Sequence, residues 1–254
     1  MMKQGDYVVE KGNGIIYQIV DVDNDIAIIQ GVSYRVKKRI SVNSVEACSS
    51  KDLYNELEKE NDAIKKIKFS YLGSRNKHLP GKILHIDGDK KYLDKCCDLY
   101  KEVGVYHYGV LIKEENLEDE ILKYYYMVMP DIVVITGHDL YNEKGYKDVY
   151  NYSNSRFFIN AIKKIRKVDK NVIIIAGACQ SNFEALIASG ADFASSPGRI
   201  NIHTFDPAVI AVKAATTSIT RVINLSDIFK YIENGSKAFG GLETFGKMRL
   251  MVWE

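Results

Sequence analysis

Two stretches of the chain are apolar without alternation and end in a reactive side chain. Residues 131–139 read DIVVITGHD and residues 171–181 read NVIIIAGACQS. A run of β-branched or aliphatic residues with no polar face predicts a strand buried on both sides in a parallel sheet. Further runs recur along the chain: KILHID ending at Asp87, VYHYGVLI ending at Ile112, and DFASS over 192–196. Helix-like stretches separate them, and that alternation predicts a parallel α/β sheet from residue 80 onward. Upstream, DYVVEKG, GIIYQIVDVD, DIAIIQG and YRVKKRISV are short alternating pieces divided by Gly, Asn and Asp, which predicts a small SH3-like β-barrel over residues 1–48. Leu53, Leu57, Ile64 and Ile67 then recur at helical spacing in a charged segment, so residues 49–79 read as a helical connector ending in the polar stretch Gly73 to His78.

The chain has 254 residues, 46% of them hydrophobic, enough for a core and a small appended unit. A formal net charge of +2 gives no broad basic field, so nucleic acid is not an expected partner. The apolar runs are strand-sized and no charged start leads into a signal-like core, so neither a membrane span nor secretion is expected, and the reading is cytoplasmic. Cys48, Cys96, Cys97 and Cys179 lack the paired spacing of a zinc site and are too few for a disulfide framework. Cys96 and Cys97 fall within a helical stretch, residues 90–103, where cysteine behaves as a small hydrophobe.

The chemistry is expected where strands end. In open α/β sheets ligands bind at the carboxyl edge, so His138 and Cys179 would sit side by side if their strands are neighbours. A helix reading from Gln180 to Ser189 would favour a Cys179 thiolate through its dipole. Cys179 would then be the nucleophile and His138 the acid and base, with no cofactor or metal needed. The first strand of the domain ends in Asp87 and Asp89, either of which could line a pocket or cap the helix that follows. Two other classes stand against a peptidase. An amidotransferase-like hydrolase would place its nucleophile before its His and would favour Gly-x-Cys-x-Gly, whereas Gln180-Ser181 follows Cys179 here. A receiver-like binding module would explain the aspartates but not His138 and Cys179.

These motifs, ITGHD, AGACQS, HIDGD, the segments 190–197 and 199–203, and GGLET at 240–244, resemble the YabG family of sporulation-specific peptidases. The resemblance implies a spore-forming bacterium, synthesis in the mother cell with a place in the forming spore coat, and maturation of spore coat and cortex-associated proteins by cleavage after Arg or Lys. More distantly the pattern is similar to the caspase, gingipain and clostripain group, implying a caspase-like peptidase domain over residues 80–254. That group has Gly directly after the His, whereas here Gly137 precedes His138 and Asp139 follows it. By analogy the N–H groups of Cys179 and Asp139 form the oxyanion hole, and Asp139 is also a side chain to examine as a third catalytic group. Basic specificity calls for an acid in the S1 pocket. The resemblance makes Asp87 and Asp89 the first candidates, with Asp206 and Asp192 as alternatives. Self-processing is expected at Arg75, in a polar loop-like stretch, while Arg35 to Arg39 read as a solvated, charge-blunted edge. The resemblance carries no calcium site, because no Asp/Asn-rich loop has the required spacing.

Overall fold

The structure, a computed structural model, describes residues 2–71 and 78–251. The chain divides into two compact units, Met1–Lys66 and Ile67–Glu254.

In the first unit, β1 (Tyr7–Glu10), β2 (Ile16–Asp23), β3 (Ile26–Gly31), β4 (Lys37–Ser41) and β5 (Val45–Ala47) form one antiparallel sheet in the order β4-β3-β2-β1-β5. Alternation sends Val8, Tyr17, Ile19, Ala27, Ile29 and Val45 into a single small core. A register shift between Ile19 and Asp21 bends β2 against β3. Helix α1 (Ser50–Tyr71) follows. One expectation fails here. Arg35 is fully buried, not part of a solvated edge, because it lies in the irregular stretch before β4 and does not share the outward alternation of Lys37 and Arg39.

The second unit begins with the short β6 (His78–Leu79) and continues through β7 (Ile83–Asp87), α2 (Lys90–Val103), β8 (His107–Leu111), α3 (Leu117–Val128) and β9 (Ile132–Thr136). Then come α4 (Ser155–Val168), β10 (Ile173–Ala176), α5 (Phe183–Ala188), β11 (Phe193–Ser195), α6 (Asp206–Thr216), α7 (Leu225–Phe229), β12 (Phe239–Gly241) and β13 (Arg249–Leu250). Six strands form one sheet, β12-β11-β10-β9-β7-β8. The five strands that read as parallel from the sequence run parallel, and a sixth, β12, returns antiparallel along β11 and closes that side. β7, β9 and β10 are buried along their whole length. The opposite edge strand, β8, exposes Tyr108 and Leu111.

The uninterrupted apolar runs are explained by helices on both faces. Leu84, Ile86, Val133, Ile135, Ile174 and Ala176 point to α3, α4 and α5, where they meet Ile121, Phe158 and Ile162. Their sequence neighbours point the other way, toward α2 and α6. α2 is bounded by chemistry legible in the sequence, with the Asp89 side chain accepting the Lys91 N–H at its start and Gly104 left-handed at its end.

Candidate active site

Strand register brings the candidate residues to one edge of the sheet, where His138 bonds Asp89 and makes no hydrogen bond to Cys179. β9 and β10 are parallel neighbours whose last pair is Ile135 with Ala176, and His138 and Cys179 each lie three residues beyond it. β7 and β9 end on the pair Asp87 with Thr136, and Asp89 and His138 each lie two residues beyond that one. Asp89, His138 and Cys179 therefore leave three adjacent strands at one level of the carboxyl edge.

His138 is held through backbone and ring alike. Its N–H donates to Glu114 Oε1 at 2.7 Å, and its carbonyl accepts from Asn154 Nδ2 at 2.8 Å. The ring Nε2 lies 3.0 Å from Asp89 Oδ2, and Tyr92 meets the ring edge-on at 5.9 Å. Nδ1 has no hydrogen-bond partner among the described residues. Burial acts to raise the Asp89 carboxyl, but the His138 bond and charge and the Lys91 N–H outweigh it, and the carboxyl is held below its ordinary value.

Glu114, in the turn before α3, was not singled out from sequence. In the charged string Lys113-Glu114-Glu115 it reads as solvated, yet it is buried. Gly88 and Gly137 make its place, since a Cβ at either would run into the Glu114 carboxylate. Those glycines were the available sequence signal.

Cys179 is 3% exposed, and its Sγ accepts the Ile202 N–H at 3.3 Å. The segment around it is pinned from several sides. Gly177 has φ of +110° and its Cα faces Ser195 Oγ, which donates to the Ala178 carbonyl at 2.8 Å. The Ala178 N–H donates to Ser181 Oγ at 2.9 Å, and the Gln180 N–H donates to the Ile200 carbonyl at 3.1 Å. The helix expected from Gln180 starts instead at Phe183. Gln180 is left-handed (φ +58°) and Asn182 caps the helix by accepting the Ala185 N–H, so a turn separates Cys179 from a six-residue helix. The dipole expected to favour the thiolate is correspondingly short and displaced.

Asp139 turns its side chain away from His138 into a buried cluster. Oδ1 accepts the N–H groups of Leu140 (3.0 Å) and Asn154 (2.7 Å), and Oδ2 accepts the hydroxyls of Ser155 and Ser181. It is therefore a tie between loops and not a partner of the imidazole. Burial pushes its carboxyl up, with the four donors pulling back. Its own N–H has no acceptor among the described residues.

The remaining acids lie in different settings. Asp87 is fully buried, accepting the Thr136 hydroxyl at 2.8 Å and the Asp89 N–H at 2.9 Å. Thr136 also contacts His85 Nε2 (2.9 Å), whose Nδ1 meets the Tyr100 hydroxyl (2.8 Å), so a polar chain runs inward beneath the edge. Asp206 opens α6 and accepts the His203 N–H at 2.9 Å. Asp192 precedes β11, at the opposite end of the sheet, where it pairs with Arg166 at 2.6 Å. Arg75 lies outside the described residues. Burial pushes the Cys97 thiol up to about 11, aided by Asp94 and Asp98, and burial with Asp52 also raises the Cys48 thiol. Among the described residues no group of three or more His, Cys, Asp or Glu could hold a metal ion, and no helix is long and apolar enough to cross a membrane.

Comparison with known proteins gives two matches. The family described as YabG peptidase U57 matches residues 3–252. A Bacillus subtilis (strain 168) protein named sporulation-specific protease YabG is 42% identical over 179 residues, covering 68% of this chain and 61% of that protein. The match thus takes in less than two thirds of that relative's length. No solved structure matches the chain.

Proposed function

Because the chain belongs to the YabG peptidase U57 family, we propose that it is a cysteine endopeptidase of sporulation, with Cys179 as nucleophile and His138 as general acid and base. The observation that carries this reading is the shared register, which puts both residues three positions beyond the Ile135–Ala176 pair on neighbouring strands. The thiolate attacks the scissile carbonyl and forms a thioester, His138 gives a proton to the departing amine, and water then attacks with His138 as base. The N–H groups of Cys179 and Asp139 hold the developing oxyanion, a role for which Asp139 offers an uncommitted donor. One such donor is worth roughly 3 to 4 kcal/mol in other proteases.

The substrates we propose are spore coat and cortex-associated proteins cut after Arg or Lys in the mother cell and the forming coat. A basic P1 side chain would need a carboxylate as its bidentate partner, and the acids we assign to that role are Asp87 and Asp206, each of which would have to give up a present bond to take it. Self-processing after Arg75 belongs to the same reading. The parallel core with helices on both faces suits a caspase-like domain. The meander with β5 returning onto β1 suits an SH3-like barrel, for which docking of substrate or of a coat-assembly factor is the role we assign.

Purified protein and its Cys179→Ala variant, incubated with an Arg-P1 fluorogenic peptide and followed by intact mass, test this. Cleavage lost only in the variant supports the reading. Equal cleavage by both overturns Cys179 as nucleophile, and a wild-type chain that cuts peptide yet stays full length overturns self-processing.

A further inference from the structure

Resting on the assignment of Cys179 and His138 above, we propose that Asp89 is the positioning residue for His138, holding its Nε2–H so that Nδ1 faces the reacting atoms, and that it is not the acid that receives P1. Four observations carry this.

The first is register, since Asp89 and His138 lie at equal distance beyond the Asp87–Thr136 pair and so emerge side by side. Second, the Oδ2 to Nε2 separation of 3.0 Å is a hydrogen bond, and the two side chains are only 12% and 26% exposed, so water competes weakly for it. Third, the carboxylate is itself fixed. Oδ1 accepts the Lys91 N–H at 3.0 Å, and the Asp89 N–H donates to Asp87 Oδ1. A guanidinium seeking both oxygens would have to displace the helix cap and His138 together. Fourth, Nδ1 has no partner among the described residues, so the tautomer that donates Nε2–H to Asp89 leaves the Nδ1 lone pair uncommitted, as a base for the thiol requires.

The chemistry follows the logic of a carboxylate behind an imidazole. Asp89 fixes tautomer and orientation, and stabilises the imidazolium formed when the thiol proton arrives, without taking that proton itself. Besides Asp89, Glu114 holds the His138 backbone and Tyr92 from α2 meets its ring edge, while Asp139, next in sequence, directs its carboxylate to the serines.

Asp89→Asn tests the proposal, because Asn keeps the shape and remains a good cap for α2. Should that variant fail to unfold cooperatively, Asp89→Ser keeps a capping oxygen without the carboxylate. Expected are a fall in kcat on the order of 10²- to 10⁴-fold on Arg-P1 and Lys-P1 peptides alike, and little change in KM. Alkylation of Cys179 by iodoacetamide at neutral pH, read by mass, should slow as well, although that reagent has no P1 group. A raised KM with kcat and alkylation unchanged would make Asp89 a specificity acid and overturn the inference, as would wild-type behaviour in every readout. Peptide cleavage that survives in Cys179→Ala would instead remove the cysteine-peptidase reading itself. Should no peptide be cut by the wild type, the ratio of alkylation rates decides alone.

Discussion

Asp139 Oδ2 accepts the Ser181 hydroxyl at 3.0 Å, joining the loop that carries His138 to the loop that carries Cys179. Ser181 Oγ in turn accepts the Ala178 N–H, and Ser155, on the same carboxylate, accepts the Asn182 N–H. The two serines therefore pass the grip of one buried acid to both sides of Cys179. Ser181→Ala should leave the buried Ala178 N–H unpaired and lower stability by about 1 to 3 kcal/mol. Peptide cleavage should fall mainly in kcat, because the Cys179 loop loses its tether. Urea unfolding and steady-state kinetics check this, and unchanged stability would show that the loop is held by other contacts.

Two carboxyls at this edge should respond to pH with opposite sign. Asp139 is raised above its ordinary value of 3.8 by burial, so its contribution to stability is full below about that pH and is lost as pH rises through the folded-state value. Asp89 is lowered, chiefly through His138, which overcomes its burial. Its contribution is present above about 3.8 and is lost as pH falls through its folded-state value. Urea midpoints followed from acid to neutral pH should show Asp139→Asn removing a loss on the way up and Asp89→Asn removing a loss on the way down. Parallel pH curves for the two variants would contradict both assignments.

Gly177 and Gly145 both have strongly positive φ, +110° and +113°. A Cβ on Gly177 would collide with Ser195 Oγ and crowd Leu186, whereas the nearest atom to one on Gly145 is 3.9 Å away. Alanine at either position carries backbone strain of about 1 to 3 kcal/mol. Gly177→Ala should be worse by roughly a further 1 to 3 kcal/mol of overpacking, and should also displace Ala178 and Cys179. Comparing the two variants by thermal unfolding isolates that steric part. Equal losses would mean that Ser195 yields freely.

The sequence revealed the two strand-end groups because IVVIT and VIIIA admit one environment, a strand covered on both faces, and the residues after such strands must leave at the sheet edge. It did not reveal how that edge is wired. Asp89 and His138 are 49 positions apart, and only the β7–β9 register makes them neighbours. Gln180 reads as helical because nothing in its side chain signals a left-handed backbone, and Asn182, the true cap, is two residues on. Asp139 adjoins His138 in sequence and so offers itself as a third catalytic group, but the side chains of adjacent residues diverge, and its own binds the serines. Arg35 reads as surface by charge alone, and nothing about Glu114 in its charged string sets it apart. Charge predicts exposure on average, not at a site where a loop folds over a side chain and supplies its partners.

Glu114 stands between two glycines and the His138 backbone. Its carboxylate occupies the space over Gly88 and Gly137 and accepts the His138 N–H, so it fixes the backbone from which the imidazole projects. Glu114→Gln keeps the accepting oxygen and should retain most activity. Glu114→Ala should leave that N–H unpaired, destabilise by about 1 to 3 kcal/mol and lower kcat. Gly137→Ala should reach the same outcome from the other side, by driving the carboxylate off the N–H. If both act through one contact their effects cannot add, and Gly137→Ala should cost less stability in the Glu114→Ala background than in the wild type, because the obstacle to its methyl group is gone. Additive losses in that double-mutant cycle would mean that the glycine serves some other neighbour and that His138 does not depend on the fit between them.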